Sequence, residues 1–480
     1  MAKTWCGTFA GANTGVSTAN IARYWRMFGD MYDAATATGE VYVTWRGAGT
    51  ITDLQVFVAT NTRATPWQIQ LYVNGAAVGP IINVPATTPG IFTWGVGDAL
   101  AIADGDQICL RTLNGTGTTG GFALKSITWA FEGTGGITTG MRSATVGGFV
   151  TASSAFYFTT DGDGATSGVE ALVSPPAAVA GVYSNIQGAA ATNTYTVPVA
   201  VLLRKNSAAS ALSASFPASN VGPVEDTVNT VAVAVNDTFN FSAARSSAGS
   251  GSLNLNNVAV RFTSNSSAWE IGGGYAASVS SITNTTDSFY AVMGNTAKDS
   301  LTEADEQLIA PFDMYIYDLR AGVRGVAMTT TASLTLRVNG VDTPLVATFP
   351  TGVADPTCRN NADVVFVPKG ALVCLKLIPP LTGTRIMNYI YLAIDTAPPP
   401  AVLTSPATFS EPRPRRRRLN NAFVAQPAFT TEQLYRPPVG FGLDRPPRRG
   451  KRRLRDMQIG SVIPLFPAPS KKRVFIYVQT

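Results

Sequence analysis

Hydrophobic and polar residues alternate in short runs along most of the chain. A period of two places successive side chains on opposite faces of a β-strand. The Val, Ile, Tyr, Phe and Thr residues that fill these runs favour pleated packing. We therefore predict an all-β chain of short antiparallel strands. Clear examples are EVYVTWRG (40–47), WQIQLYVNG (67–75), VAVAVNDTFNFS (231–242), FDMYIYDL (312–319) and SLTLRVNG (333–340).

Residues typical of turns separate these runs. Asn74–Gly75 and Asn339–Gly340 are Asn-Gly steps, which favour tight hairpins because both turn positions need positive φ. Only the segment 299–311 is predicted to hold a helical turn, with Ser300 or Thr302 at its N-terminus.

The pattern recurs three times with a period near 132 residues. The word LYVNG at 71–75 returns as LRVNG at 336–340, an offset of 336 − 71 = 265, and LRKNS at 203–207 lies between them. Repeats of this length are whole domains rather than solenoid units. We predict three tandem antiparallel β-sandwiches of jelly-roll type, at 1–135, 136–265 and 266–396.

Single residues follow the same spacing, and we assign them to equivalent positions of the three copies. Small buried side chains explain the two cysteines in this set, with a phenylalanine at the matching place of the middle copy. The assigned sets are Tyr24, Tyr157 and Tyr290; Gly105, Asp237 and Gly370 in one shared turn; Cys109, Phe241 and Cys374; and Phe131, Phe262 and Ile394.

The segment 397–480 has a different composition. Of the 30 prolines in the chain, 14 fall in 396–480, and 401–480 holds 16 Arg and Lys against 4 acidic residues, a net charge of +12. Because the whole chain carries +6, residues 1–400 carry 6 − 12 = −6. We predict an extended basic arm that ends in a strand at KKRVFIYVQT (471–480).

This arm holds the candidate binding residues. Arginine pairs with carboxylates or phosphates, and a terminal strand can add to the open edge of a partner's sheet. We predict that two basic clusters and the last strand bind a partner: Arg413, Arg415, Arg416, Arg417, Arg418, Arg448, Arg449, Lys451, Arg452, Arg453, Val474, Phe475, Ile476, Tyr477 and Val478.

Candidate chemistry is sparse elsewhere. The chain has no histidine, which excludes Ser-His and Cys-His nucleophilic sites and histidine-ligated metals. The segment TEADEQ (302–307) is interpreted as a solvated acidic face. Asp161 and Asp163 follow the order of a Ca²⁺ loop but lack its third acid and distal Glu, so we interpret them as part of a turn. We predict a protein that is not an enzyme and has no cofactor and no metal site.

Tryptophan is unevenly distributed, with six of seven residues in the first copy and only Trp269 outside it. Core packing is the favoured interpretation, and a sugar-binding platform is the alternative. The first residues lack the apolar segment of a secretory signal, and no run of 18 apolar residues occurs. We expect synthesis in a host cytoplasm and no membrane partner.

Tandem β-sandwiches in a cysteine-poor chain rich in Ala, Gly and Thr resemble the virion proteins of tailed bacteriophages. These include decoration, head-fibre and tail-associated proteins built from jelly-roll modules. The resemblance covers 1–396 and does not extend to the basic arm. It implies a structural protein of the virion that binds other virion proteins and copies of itself.

Three functions follow as hypotheses. In the first, the sandwiches form a rigid body of a virus particle and the arm ties it to neighbouring subunits. In the second, the arginine clusters bind packaged nucleic acid. In the third, exposed aromatic residues of the first copy bind host glycans. The prolines and phenylalanines interleaved in the arm favour a protein partner over nucleic acid.

Overall fold

A computed structural model confirms the all-β prediction. Its only helical segments among the described residues are single 3-10 turns at Thr134–Gly136, Glu170–Val173 and Glu303–Asp305. The structure describes residues 2–16, 22–30, 41–114, 120–150, 156–163, 170–245, 251–274, 287–294, 300–325, 330–378, 385–399, 463–467 and 473–476.

Sandwich 1 spans Thr4–Gly133 and consists of two facing sheets. Its strands are β1 (Thr4–Val16), β2 (Arg23–Trp25), β3 (Gly29–Asp30), β4 (Val43–Thr44), β5 (Gly49–Asn61), β6 (Trp67–Val73), β7 (Ala76–Val84), β8 (Gly90–Thr93), β9 (Ala99–Ile102), β10 (Gln107–Asn114) and β11 (Phe122–Gly133).

Sandwich 2 spans Thr139–Ser264 and repeats this arrangement. Its strands are β12 (Thr139–Val150), β13 (Phe156–Phe158), β14 (Gly162–Asp163), β15 (Gly181–Asn193), β16 (Val199–Lys205), β17 (Ala208–Phe216), β18 (Val224–Val233), β19 (Phe239–Arg245) and β20 (Ser252–Ser264).

Sandwich 3 spans Trp269–Asp395. Its strands are β21 (Trp269–Gly274), β22 (Ser288–Tyr290), β23 (Leu308–Ile309), β24 (Met314–Gly325), β25 (Ala332–Val338), β26 (Val341–Phe349), β27 (Thr357–Val367), β28 (Leu372–Ile378) and β29 (Arg385–Asp395). The three spans fall within the boundaries that the repeat spacing predicts.

All three sandwiches share one strand order. When the eight main strands of each are counted along the chain, with β8 and β9 together as the sixth strand of sandwich 1, one sheet runs 1-8-3-6 and the other 2-7-4-5. The main strands pair antiparallel. Two sheets in these orders form the double-sheet jelly roll.

The hairpin between the fourth and fifth strands explains the recurring sequence motif LYVNG, LRKNS and LRVNG. Asn74, Asn206 and Asn339 adopt φ of 49°, 50° and 51°, and the next residue also has positive φ in each turn. Asparagine tolerates this conformation better than most residues, and glycine fits the following position. The middle copy places Ser207 there, at φ 63°.

Strand pairing shifts several residue equivalences by one position. The turn before the seventh strand has its positive φ at Gly105, Asn236 and Gly370, so Asp237 lies in the shared turn but one position later than predicted. The reason is a one-residue deletion, because 30 residues separate Asn206 from Asn236 whereas 31 separate Asn74 from Gly105.

The same correction applies to two other sets. Pairing with the neighbouring strand places Asn240, not Phe241, at the position of Cys109 and Cys374. Phe289, not Tyr290, is the counterpart of Tyr24 and Tyr157. All four cysteines are free and buried, as the small-side-chain interpretation requires.

The cores of the sandwiches are not separate. The apolar core of sandwiches 2 and 3 is continuous and also includes Trp5, Phe9 and Ala130 of sandwich 1. Met141 and Ala259 of sandwich 2 belong to the core of sandwich 1. Residues Met1–Ser405 accordingly form one structural unit, and Pro406–Thr480 form another. Within the second unit, β30 (Ile463–Pro467) pairs antiparallel with β31 (Arg473–Ile476).

Candidate functional site

An extensive set of polar contacts in the described part of the chain lies between the sandwiches. Each sandwich presents the segment just before its third strand, and the turn before its seventh, to the next sandwich. Sandwich 1 contacts sandwich 2, sandwich 2 contacts sandwich 3, and sandwich 3 contacts sandwich 1. Head-to-tail contacts that return to the first member close a ring.

The contact between sandwiches 1 and 2 is built on main-chain groups of β4 and its neighbours. The backbone N–H of Thr44 donates to Gln187 Oε1 at 3.0 Å, and Gln187 Nε2 donates to the Thr44 carbonyl at 2.6 Å. Asn257 Nδ2 donates to the Tyr42 carbonyl at 2.9 Å. At the rim, Arg46 makes a two-point ion pair with Glu225, with its Nε 2.6 Å from Oε1. The pairing resembles an added sheet edge closed by side-chain amides.

The contact between sandwiches 2 and 3 involves the same positions of the fold as the first contact, but here the side chains are charged. Arg320 occupies the position of Gln187, and its Nη1 donates to the Ala177 carbonyl at 2.7 Å. Asp318 neutralises Arg320 through two hydrogen bonds of 3.1 and 2.6 Å. Outside this buried pair, Arg359 Nη1 donates to Asn236 Oδ1 at 3.2 Å. A glutamine in one contact and an arginine in the other therefore form hydrogen bonds with the backbone of equivalent segments.

The contact between sandwiches 3 and 1 closes the ring. Glu306 is only 1% exposed, and its Oε1 lies 3.6 Å from Lys125 Nζ. Burial raises the pKa of Glu306 to about 8, against the attraction of Lys125 that lowers it. Lys369, in the turn before the seventh strand of sandwich 3, pairs with Asp53 of sandwich 1. Lys3 lies 5.9 Å from the centre of the Phe312 ring.

A buried polar cluster lies where the first strands of the three sandwiches meet. Arg142 donates to Asp161 Oδ2 at 2.7 Å, to Glu270 Oε1 at 2.6 Å and to the Tyr183 hydroxyl at 2.8 Å. The Tyr391 hydroxyl donates to the same Asp161 oxygen at 3.2 Å. Burial alone would lower the pKa of Arg142, but the neighbouring acidic groups raise it well above its ordinary value.

This cluster borders a small cavity of about 40 Å³. The cavity is lined by residues of all three sandwiches, among them Trp5, Arg142 and Glu270. The indole N–H of Trp5 has no hydrogen-bond partner within the described part of the chain. A polar cavity of this size holds a water molecule rather than a substrate. The cluster therefore serves to hold the sandwiches together.

The structure assigns Asp161 a different role from a metal ligand, because its carboxylate is paired with Arg142. The side chain of Asp163 lies outside the described residues. Within those residues, no group of three or more Cys, Asp or Glu side chains is arranged to hold a metal ion.

The acidic segment TEADEQ is not the fully solvated face that the sequence suggests. Glu303 pairs with Arg337 at 3.0 Å, and Glu306 is buried against sandwich 1. The predicted helix is a single 3-10 turn at Glu303–Asp305, with Thr302 before it and no side-chain cap. Ser300 instead accepts from the Thr302 N–H at 3.0 Å. The interpretation was wrong for Glu306 because a single sequence does not reveal contacts between domains.

The tryptophans are core residues. All seven are 6% exposed or less, and Trp67 stacks on Phe122 with ring centres 3.8 Å apart. A tryptophan platform is therefore ruled out. The half-exposed aromatic side chains of sandwich 1 include three tyrosines. The ring centres of Tyr24 and Tyr42 lie 5.2 and 6.5 Å, respectively, from the ring centre of Tyr72.

The predicted binding residues of the arm are mostly outside the described residues. This holds for Tyr477 and Val478 and for both basic clusters, from Arg413 to Arg453. Val474, Phe475 and Ile476 lie in β31, as the strand prediction requires, and β31 pairs with β30 of the same arm. Pairing of the arm with a partner's sheet stays a prediction.

Sequence reasoning missed Gln187 and Arg320, which make two of the contacts between sandwiches. They recur with Gln55 at spacings of 132 and 133, and a residue with positive φ lies two positions before each of the three: Asp53, Asn185 and Asp318. The recurrence of a polar residue at one position of an otherwise apolar strand was the sequence signal that could have indicated these contacts.

Comparison with protein-family models and with curated proteins finds no match for this chain. Among the described residues, no helix is long and apolar enough to cross a membrane.

Proposed function

We propose that this protein is a structural component of a virus particle, in which the ring of three jelly rolls is a rigid body and the basic arm joins it to neighbouring subunits. The observation that carries the proposal is the closed ring. Jelly rolls recur in viral capsid proteins, and head-to-tail rings are a common form of assembly. Here a single chain supplies all three members.

The chemistry of the described residues supports a structural role. The buried cations Arg142 and Arg320 each face an opposite charge at a contact between sandwiches, and the buried carboxyl of Glu306 lies beside Lys125 at another. Arg142 bonds to Glu270, and Arg320 bonds to the Ala177 carbonyl, across contacts between sandwiches. Buried ion pairs of this kind specify which surfaces meet.

Removal of the arm tests the proposal. A chain that ends at residue 399 should fold like the full chain but fail to enter particles, because the ring retains its own contacts and loses the tether. Quantitative mass spectrometry of purified particles gives the copy number of each form. Equal incorporation of both forms would refute the tether. The salt dependence of arm binding separates the partners, since phosphate contacts weaken steeply with salt.

Glycan binding by sandwich 1 is the second candidate, and the cluster of Tyr24, Tyr42 and Tyr72 favours it. Arg111 lies 5.7 Å from the Tyr72 ring centre, so a cation flanks the aromatic faces. Binding of the full chain to a glycan array, lost on Tyr72→Ala, would support this function. If the full chain bound no glycan on the array, the structural role would be the only proposed function that remains.

A further inference from the structure

An aromatic patch, formed by Tyr315, Tyr317, Val364 and Phe366, lies on the outer face of sandwich 3. It is built on β24 and on β27, the edge strand of the same sheet. Tyr315 pairs with Phe366, and Tyr317 pairs with Val364. Phe366 is 52% exposed and Val364 is 41% exposed, and both tyrosines are partly exposed. The ring centres of Tyr315 and Phe366 lie 5.3 Å apart. Such a cluster of exposed apolar side chains is typical of an interaction surface.

The fold does not require aromatic side chains at these four positions. The same positions pair with each other in the other two sandwiches, where β15 and β5 correspond to β24 at spacings of 133 and 132. The residues there are smaller or more polar, and none is aromatic, so the aromatic patch is specific to sandwich 3. They are Val182, Ser184, Thr230 and Ala232 in sandwich 2 and Thr50, Thr52, Ala99 and Ala101 in sandwich 1.

Sandwich 3 is also the sandwich from which the arm emerges. Its last strand, β29, ends at Asp395, which pairs with Tyr315. Because directly paired residues of antiparallel strands project from the same face, Asp395, Tyr315 and Phe366 share one face of the sheet. The Ala397 N–H donates to Asp395 Oδ1 at 3.0 Å, which turns the chain toward that face. In sandwiches 1 and 2 the corresponding strands, β11 and β20, lead into the next sandwich instead.

The first residues of the arm match the aromatic patch in reach and composition. Since neighbouring strands lie about 4.8 Å apart, the backbone of Phe366 is about 10 Å from that of Asp395, two strands away. A proline-rich extended chain advances about 3.1 Å per residue and covers this distance in about three residues. The segment 397–405 has the sequence APPPAVLTS, is uncharged and is described as far as Pro399. Extended proline-rich segments bind to surfaces lined by aromatic side chains.

We propose that the segment 397–405, at the root of the arm, packs against the aromatic patch of its own chain. Its prolines lie on the tyrosine rings, and Val402 and Leu403 supply apolar side chains that cover Phe366. The arm then leaves the ring from the outer face of sandwich 3. The proposal does not depend on the virion role, since it concerns contacts within one chain.

Limited proteolysis of the full chain with thermolysin tests it. Thermolysin cleaves before large apolar residues, so Val402 and Leu403 report on the segment and Phe423 reports on a later part of the arm. Mass spectrometry gives the rate at each site. The variant Tyr315→Val/Phe366→Ala carries the residues of sandwich 2 and should fold with an unchanged circular dichroism spectrum. We expect cleavage at Val402 and Leu403 to become about tenfold faster in this variant, because cleavage follows the population of the unbound segment. The rate at Phe423 should not change.

Val341→Ala is the matched control, because Val341 is 66% exposed on the other sheet of sandwich 3. It should leave all three cleavage rates unchanged. If the double variant does not fold, Phe366→Ala alone takes its place. Equal cleavage rates at Val402 and Leu403 in the wild type and in a folded patch variant overturn the proposal. A wild type that dimerises in sedimentation velocity, together with a monomeric patch variant, also overturns it, because a second copy then covers the aromatic patch.

Discussion

Replacing Glu306 by glutamine should change how the stability of the ring depends on pH. The carboxyl group is buried between sandwiches 3 and 1, and its Oε2 has no hydrogen-bond partner among the described residues. Burial raises its pKa from 4.5 to about 8, although Lys125 lies 3.6 Å away. Glutamine has the same shape and cannot ionise.

The sign follows from proton binding. Below about pH 4.5 the carboxyl is protonated in both the folded and the unfolded chain, so it does not affect the free energy of unfolding. Between pH 4.5 and about 8 the unfolded chain loses the proton while the folded chain keeps it. The folded state then binds more protons, so stability falls as pH rises and levels off above about pH 8.

The magnitude follows from the pKa difference. From 4.5 to about 8, at about 1.4 kcal/mol for each pH unit, the full loss is about 5 kcal/mol. Because the chain has no histidine, and no other side chain ordinarily titrates between pH 5 and 8, a change in the free energy of unfolding over this range can be assigned to Glu306. Burial raises the pKa of all four cysteines, which removes them from the window as well.

Urea unfolding at pH 5, 6, 7 and 8, followed by tryptophan fluorescence, measures the effect. The wild type should lose stability steadily over this range, whereas Glu306→Gln should be nearly flat and more stable at pH 8. Glu132→Gln is the matched control, because Glu132 is partly exposed and pairs with Lys3 at 2.7 Å. A flat wild type, or a variant with the same slope as the wild type, would refute the reasoning.

Three further predictions concern the ring and the hairpins. Arg142→Met leaves the buried Glu270 and the partly buried Asp161 without a cation and should destabilise the chain by about 3–5 kcal/mol in urea unfolding; a loss under 1 kcal/mol would contradict a buried network. Lys369→Ala removes a pair whose lysine is half exposed, so the same assay should show a change of about 0–1 kcal/mol, and a larger loss would mean that this contact is essential for closure. Ser207→Gly removes a side chain from a position at φ 63° and should stabilise the chain by about 0.5–1 kcal/mol, as a higher Tm; a lower Tm would show that the serine side chain has a role of its own.

The sequence predicts the sandwiches well because their signals are local. Alternation specifies strands, and Asn74 and Asn339 specify hairpins, within a few residues of the structure they form. The period identifies the triplication. It misplaces Asp237, Phe241 and Tyr290 by one position, because a uniform spacing cannot detect a one-residue deletion, whereas strand pairing can.

The contacts between sandwiches could not be predicted in the same way. Thr44 and Ala177 contribute main-chain groups to the ring, and a backbone carbonyl leaves no trace in the residue type. Gln187 and Arg320 perform the same task with different side chains, so no shared motif marks the position. Whether Glu306 is buried depends on a strand that lies about 180 residues earlier in the chain, at Lys125.

If the protein has the structural role proposed above, fusion of the three jelly rolls into one chain determines its valency. A trimer of identical subunits would carry three arms and repeat every surface residue three times. This chain carries one arm per ring, the six clustered tryptophans in one member and the aromatic patch on another. A threefold-symmetric partner would therefore meet three different faces, and only one rotational setting of the ring would place a given face on a given site. In that role each ring would have a single tether, so the ring could not gain avidity from its own symmetry.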